Sequence, residues 1–134
     1  MDRVIMFRGK LDMDHPLNEK QKKPRWVNGY YTECNPTLGN HVCVIETEDE
    51  DYVVDFNSVG QYTGIKDKYN YPIFEGDILK ANNGHIGWVK FVNGAFMKVC
   101  NCHSNSLPCE IFSDNCEIIG NIYDNPELVE VTHI

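Results

Sequence analysis

The chain has 134 residues, 42% hydrophobic and 24% charged, values that suit one globular domain and exclude a disordered or low-complexity chain. No apolar run approaches the ~20 residues of a membrane-spanning helix, and the start of the chain lacks the apolar segment and small-residue cleavage site of a signal peptide. Net charge is −8, which argues against nucleic acid as the main partner, because nucleic-acid binders bring Lys and Arg to the phosphates.

The charge is unevenly spread. Residues 1–25 hold seven of the twelve Lys and Arg against four acids, a local +3, which leaves five basic and sixteen acidic residues, −11, for the remainder. Lys20, Lys22, Lys23 and Arg25 read as a solvated loop, with a phosphate-contacting arm as the alternative. A cytoplasmic location and no membrane association are expected. In that compartment the six cysteines, at 34, 43, 100, 102, 109 and 116, are expected to be free thiols.

In chain order, β-type segments recur between turn residues, with no sustained helical period. Strands are predicted at Val4–Phe7, Trp26–Thr32, His41–Glu46, Tyr52–Phe56, Asp77–Ala81, Gly87–Val92, Ala95–Cys100 and Glu117–Ile122. Glu48–Asp51 lies between two of them and reads as an acidic hairpin tip, since it lacks the Gly and spaced ligands of a calcium loop. From Gln61 to Lys80 the chain runs QYTGIKDKYNYPIFEGDILK, read as turns leading into a strand. Thr63-Gly64 and Tyr69-Asn70 are expected to be reversals, Pro72 to hold Tyr71 extended, and Asp67 and Asp77 to accept hydrogen bonds from nearby N–H groups.

Asn93-Gly94 is the sharpest local signal. A type I′ turn needs positive φ at both central residues, which Asn tolerates and Gly accepts freely. Its two-residue loop sets Phe91 opposite Phe96 and Trp88 opposite Val99. Ile86, Trp88, Val92, Ala95, Met97 and Val99, interrupted only by Lys90, then form the expected core face. The other face carries Phe91, Phe96, Val89 and Lys98. Two readings of Phe91 and Phe96 stay open: an exposed pair forming a partner surface, or a pair buried under the amino-terminal strands. Further on, Asn125-Pro126-Glu127 reads as the start of a short helix, with Asn125 as N-cap.

Candidate chemistry is confined to the cysteines. Cys100, Cys102, Cys109 and Cys116, with His103 nearby, are the candidate zinc ligands. There is no C-x₂-C pair, however, and Cys100 and Cys102 would lie about 6.5 Å apart along one strand face, so packing or surface thiols is the preferred reading. A nucleophilic cysteine would need a base and an electropositive setting; the surrounding acids oppose that. No Walker loop, Rossmann fingerprint or H-E-x-x-H is present. No catalytic residues and no cofactor are expected, and the protein is expected not to be an enzyme.

The segment QYTGIKDKYNYPIFEGDIL resembles the signature of the YopX family, small proteins found mostly in phages, prophages and their bacterial hosts. Ile5–Gly9 (IMFRG), Trp26–Tyr30 (WVNGY) and Ile118–Leu128 (IIGNIYDNPEL) are similar to other blocks of that family, in the same order. The linker from Leu11 to Arg25 and the cysteines from Cys100 to Cys116 depart from the pattern. The family's biochemical role is unsettled, so the resemblance implies lineage more than activity.

Together these readings predict a mainly β protein, one YopX-like domain over residues 1–134. Residues 1–60 would supply strands and a charged linker. Residues 61–134 would form a small, partly open SH3-like barrel, by fold analogy alone, closed by the short carboxy-terminal helix. The expected function is that of a non-enzymatic phage or prophage accessory protein in the host cytosol, self-associating or binding an unidentified phage or host protein. A nucleic-acid module using Arg3, Arg8, Lys10 and Lys20–Arg25, with Trp26, Tyr30 or Tyr31 to stack on bases, is one alternative. A zinc-stabilised β module is the other.

Overall fold

A computed structural model describes residues 4–34, 42–100 and 109–129. The protein is mainly β, and every strand ladder among the described residues is antiparallel. The chain divides into two compact units, Met1–Gln61 and Tyr62–Ile134. No helix among the described residues is long and apolar enough to cross a membrane.

The first unit is built on strands β1 (Phe7–Lys10), β2 (Trp26–Cys34), β3 (Val42–Glu46) and β4 (Asp51–Val54), in the order β4-β3-β2-β1. The first strand therefore lies later than the predicted Val4–Phe7 and shares only Phe7 with it; His41 falls outside the described residues. Period-two alternation turns Cys43 and Ile45 of β3 and Val27 of β2 inward. They meet Leu11, Tyr52 and Val54 in one apolar cluster, with Phe7, Met13, Tyr31 and Val59 against it. Glu46 opposite Asp51 closes a hairpin whose tip is acidic, as expected. There Thr47 Oγ1 accepts from the N–H groups of Asp49 and Glu50, both at 3.2 Å, so a side chain satisfies the donors that the turn leaves over.

The charged linker is anchored at one point that the sequence did not signal. Asn18 is buried, and its Nδ2 donates to Val53 O at 2.7 Å and to Asp12 O at 2.8 Å. That ties the short 3₁₀ turn Pro16–Asn18 to the edge strand β4. Lys20, Lys22 and Lys23 are exposed, in line with a solvated loop.

Strand β5 (Gly60–Lys66) begins in the first unit, where Gly60 and Gln61 pair with β1, and continues into the second. There it pairs with β6 (Pro72–Phe74), Tyr62 opposite Phe74 and Lys66 opposite Pro72. Neither strand was predicted. The ladder is interrupted between Tyr62 and Lys66, where Gly64 takes φ +86°. Thr63-Gly64 is thus a bulge-like irregularity inside a strand rather than a reversal; the register slips by two residues there, and such an interruption hides the pairing by which strands are recognised.

A four-stranded sheet completes the second unit, ordered β10 (Cys116–Asn121), β7 (Asp77–Ala81), β8 (Ile86–Val92), β9 (Ala95–Val99). The β8–β9 register is the one that Asn93-Gly94 predicts, residue for residue from Val92–Ala95 to Trp88–Val99. Both turn residues have positive φ, 49° and 85°.

The expected core face of this hairpin is covered only in part, and placing the deepest packing on it is an error. Val89, 2% exposed, is its deepest residue and packs with Ile73, Leu79 and Cys116; Phe96, Ile65, Ile111 and Ile118 lie against them. Ile86, Trp88, Val92, Met97 and Val99 are only half-buried and Ala95 is exposed. The central strand β7 explains the error: Ile78 and Leu79, neighbours on opposite faces, are both fully buried. With cover on both sides of β7, counting apolar residues cannot say which face of β8 packs more tightly.

At the carboxy-terminal end the helix is a single 3₁₀ turn, Pro126–Leu128. Asn125 does not cap it; its Oδ1 accepts instead from Asn121 N–H at 3.3 Å, holding the turn back onto the end of β10.

Candidate functional site

The signature segment is organised around two buried aspartates. Asp67 is 3% exposed. Its Oδ1 accepts from the N–H groups of Tyr69 at 3.0 Å and Tyr71 at 2.9 Å. Its Oδ2 accepts from Ile118 N–H at 3.1 Å, on β10. Lys68 N–H donates to Cys116 O at 3.0 Å, so the loop covers the outer edge of β10. Within the loop Asp67 N–H donates to Tyr71 O at 2.8 Å, and Asn70 takes φ 70°, a conformation that Asn tolerates.

Asp77 works the same way one turn later. Its Oδ2 accepts from Phe74 N–H at 2.8 Å. Gly76, at φ 87°, receives Ile122 N–H on its carbonyl and gives its own N–H to Val89 O. Both aspartates therefore accept from backbone donors, as expected. The Asp67 bond to Ile118, 51 residues away, was beyond a local reading.

What this rigid frame leaves outside is aromatic and basic. Tyr69 is 60% and Tyr71 64% exposed, and Lys66 and Lys68 are exposed beside them. Lys68 Nζ lies 5.4 Å from the Tyr69 ring centroid and 3.2 Å from Asn82 Oδ1. In the sequence this loop stands out for its turns; the display of these four side chains follows only from the fold.

Phe91 and Phe96 meet as placed, ring centroids 5.1 Å apart at 65°, an edge-to-face contact. They differ in burial: Phe91 is 53% exposed, whereas Phe96 packs against the Val89 cluster.

Among the described residues the candidate zinc ligands Cys100, Cys109 and Cys116 are not gathered into one metal-ligating group. Cys100 is disulfide-bonded, against the expectation of free thiols throughout; a reducing compartment governs whether such a bond persists, not whether geometry permits it. A sulfur in a disulfide is not the thiolate that zinc requires. Cys100 Sγ lies 3.6 Å from His85 Nε2. Cys109 is free and exposed, paired with Lys98 in an isolated bridge beside β9. Cys116 is free and buried on β10, the other outermost strand of that sheet. Burial, and then the nearby Asp67, push its thiol pKa up. Cys102 and His103 fall outside the described residues, among which no group of three or more metal-ligating side chains occurs.

In the amino-terminal unit Arg8 lies 4.8 Å from the Trp26 ring and Arg25 4.7 Å from the Tyr52 ring. Tyr31 donates its hydroxyl to Cys43 Sγ at 3.4 Å. Of the aromatic residues suggested for stacking on bases, Tyr30 alone is exposed. A groove of about 530 Å³ is lined by Val4, Ile5, Met6 and Tyr30 and by the acids Glu46, Glu48 and Asp49; among the described residues no histidine or cysteine lines it.

Comparison with known proteins points one way. The family model described as YopX protein matches residues 16–130. The crystal structure of protein EF1440 from Enterococcus faecalis is similar with a TM-score of 0.51 at 23% identity, covering 96% of this chain and 100% of that one. Protein yopX from Bacillus subtilis is similar with a TM-score of 0.50 at 15% identity, covering 96% and 98%. At these identities the two structures speak to the fold alone. No curated protein matches the sequence.

Proposed function

Since the chain belongs to the YopX family, we propose that it is a non-enzymatic accessory protein of phage or prophage type, working in the host cytosol through protein contacts and self-association. Residues 61–122 are read as a small, partly open SH3-like barrel that serves as a scaffold for those contacts. One observation carries this reading: Phe91 projects from a rigid type I′ hairpin, more than half exposed, with its edge-to-face partner Phe96 rooted in the core below. An anchored aromatic of this kind loses little conformational freedom on docking, the property of residues that dominate interfaces.

Solution mass by light scattering tests it, with Phe91→Glu as the disrupting variant. Oligomers that fall to monomers in this variant support the proposal; a wild-type protein that is monomeric at all concentrations overturns it. The second reading, nucleic-acid binding through the amino-terminal segment, draws on the exposed Lys20, Lys22, Lys23 and Tyr30. It is weakened because Arg8 and Arg25 already lie over rings of their own chain. Loss of salt-sensitive DNA retention on changing those lysines to Glu would support it.

A further inference from the structure

We propose that the Lys66–Tyr71 loop is a docking surface for single-stranded nucleic acid, with Lys66 and Lys68 meeting phosphates and Tyr69 and Tyr71 stacking on bases. The inference stands apart from self-association and uses a different surface from the amino-terminal basic segment.

Charge is the first argument. By sequence the loop reads Lys-Asp-Lys-Tyr-Asn-Tyr, a local +1 in an acidic protein. In the structure the one acid faces inward, 3% exposed, its two oxygens taken by three backbone N–H groups. The outward-facing side chains are therefore two lysines, two tyrosines and Asn70, with no carboxylate among them. An expectation built on net charge misses this, because it averages over the whole chain and not over the side chains that one loop displays.

Rigidity is the second. Tyr69 and Tyr71 are 60% and 64% exposed, yet their backbone is held by the Asp67 carboxylate and by the Asp67–Tyr71 hydrogen bond. Most of the surface of both residues is left in water instead of being packed into this fold. Ring faces offered on a fixed frame beside cations are what sequence-tolerant single-strand binding uses, because every base has a π-face. An acidic peptide would satisfy the lysines and leave both rings without a flat partner.

The test is fluorescence anisotropy of a labelled oligothymidylate of about twelve nucleotides, titrated with the intact protein at about 50 mM salt and upward. Binding is expected, with a log–log salt slope near −1.4, the value for two phosphates neutralised on a single strand. Tyr69→Ala and Tyr71→Ala should each weaken it about tenfold, the change that one lost stacked base implies. Lys66→Ala with Lys68→Ala should remove most of the salt dependence. All four side chains are exposed, so the variants should fold, and thermal melting checks that. No binding at the lowest salt overturns the proposal. So does binding that survives these changes and is lost when Lys20, Lys22 and Lys23 are replaced, or equal competition by polyglutamate.

Discussion

Asp67 Oδ2 and the Ile118 N–H group, 51 residues apart in sequence, meet at 3.1 Å and tie the signature loop to the edge of the second unit's sheet. A strand edge with unpaired donors invites association with other chains. Here the carboxylate and the Lys68 N–H occupy it. The remaining carboxylate oxygen is turned back into its own loop, so one side chain both shapes the turn and docks it.

Removing that acid should therefore do more than loosen a turn. In Asp67→Ala three N–H groups lose their acceptor, and the expected loss is about 2–4 kcal/mol, above the 1.5–3 kcal/mol of one hydrogen bond to a charged group. Urea unfolding measures it. Amide exchange should rise at Tyr69, Tyr71 and Ile118 together; a rise at the loop amides alone would show that the long-range bond contributes nothing.

Asn18 gives a sharper test because its role depends on donors. Both of its described side-chain bonds run from Nδ2 to carbonyl oxygens, of Val53 and Asp12. Asn18→Ala should cost about 1–3 kcal/mol through the unsatisfied carbonyls. Asn18→Asp, nearly the same shape, should cost more, because it sets an acceptor against acceptors in a buried place. Thermal melting at neutral pH ranks the two variants, and an equal or smaller loss for Asn18→Asp would contradict the assignment.

How much of this was legible in the sequence depended on the range of each interaction. Asn93-Gly94 carries its own backbone demand, so the whole β8–β9 register could be written down beforehand. The aspartates were recognisable as acceptors for the same local reason. Gly64 was read as a turn because a strand bulge and a reversal call for the same residue, and with that both β5 and β6 were lost. Which face of β8 is buried depends on what covers β7, and the anchoring of Asn18 depends on β4. Neither is encoded in the residues beside it. For the candidate site the outcome is similar: the Phe91–Phe96 contact followed from register, while the display of Lys66, Lys68, Tyr69 and Tyr71 followed from an acid turning inward, which composition hides.

The two phenylalanines should separate cleanly. Phe96 packs on the Val89 cluster and Phe91 stands largely clear of it. Phe96→Ala should cost about 2–3 kcal/mol, short of the 3–5 kcal/mol of a fully buried ring because the site is half-exposed. Phe91→Ala should cost under about 1.5 kcal/mol, the upper value of an aromatic pair. Urea midpoints at low protein concentration, where association does not contribute, make the comparison; comparable losses would mean that the exposed ring is part of the core.

Cys116 gives the pH dependence. Burial first, and Asp67 second, raise its thiol pKa above the ordinary value of 9.0, so the folded protein holds this proton to higher pH than the unfolded chain does. Stability from this group is then intact below the unfolded pKa and is lost as pH rises through that value toward the folded one. Between neutral pH and about pH 10, where free thiols have ionised, the urea midpoint of the wild type should fall more than that of Cys116→Ala. The same shift predicts slow alkylation by iodoacetamide at pH 8, because the thiolate is the nucleophile, with the exposed Cys109 modified first. Mass spectrometry of the time course settles the order; modification of Cys116 ahead of Cys109 in folded protein would show that the buried position is open to solvent.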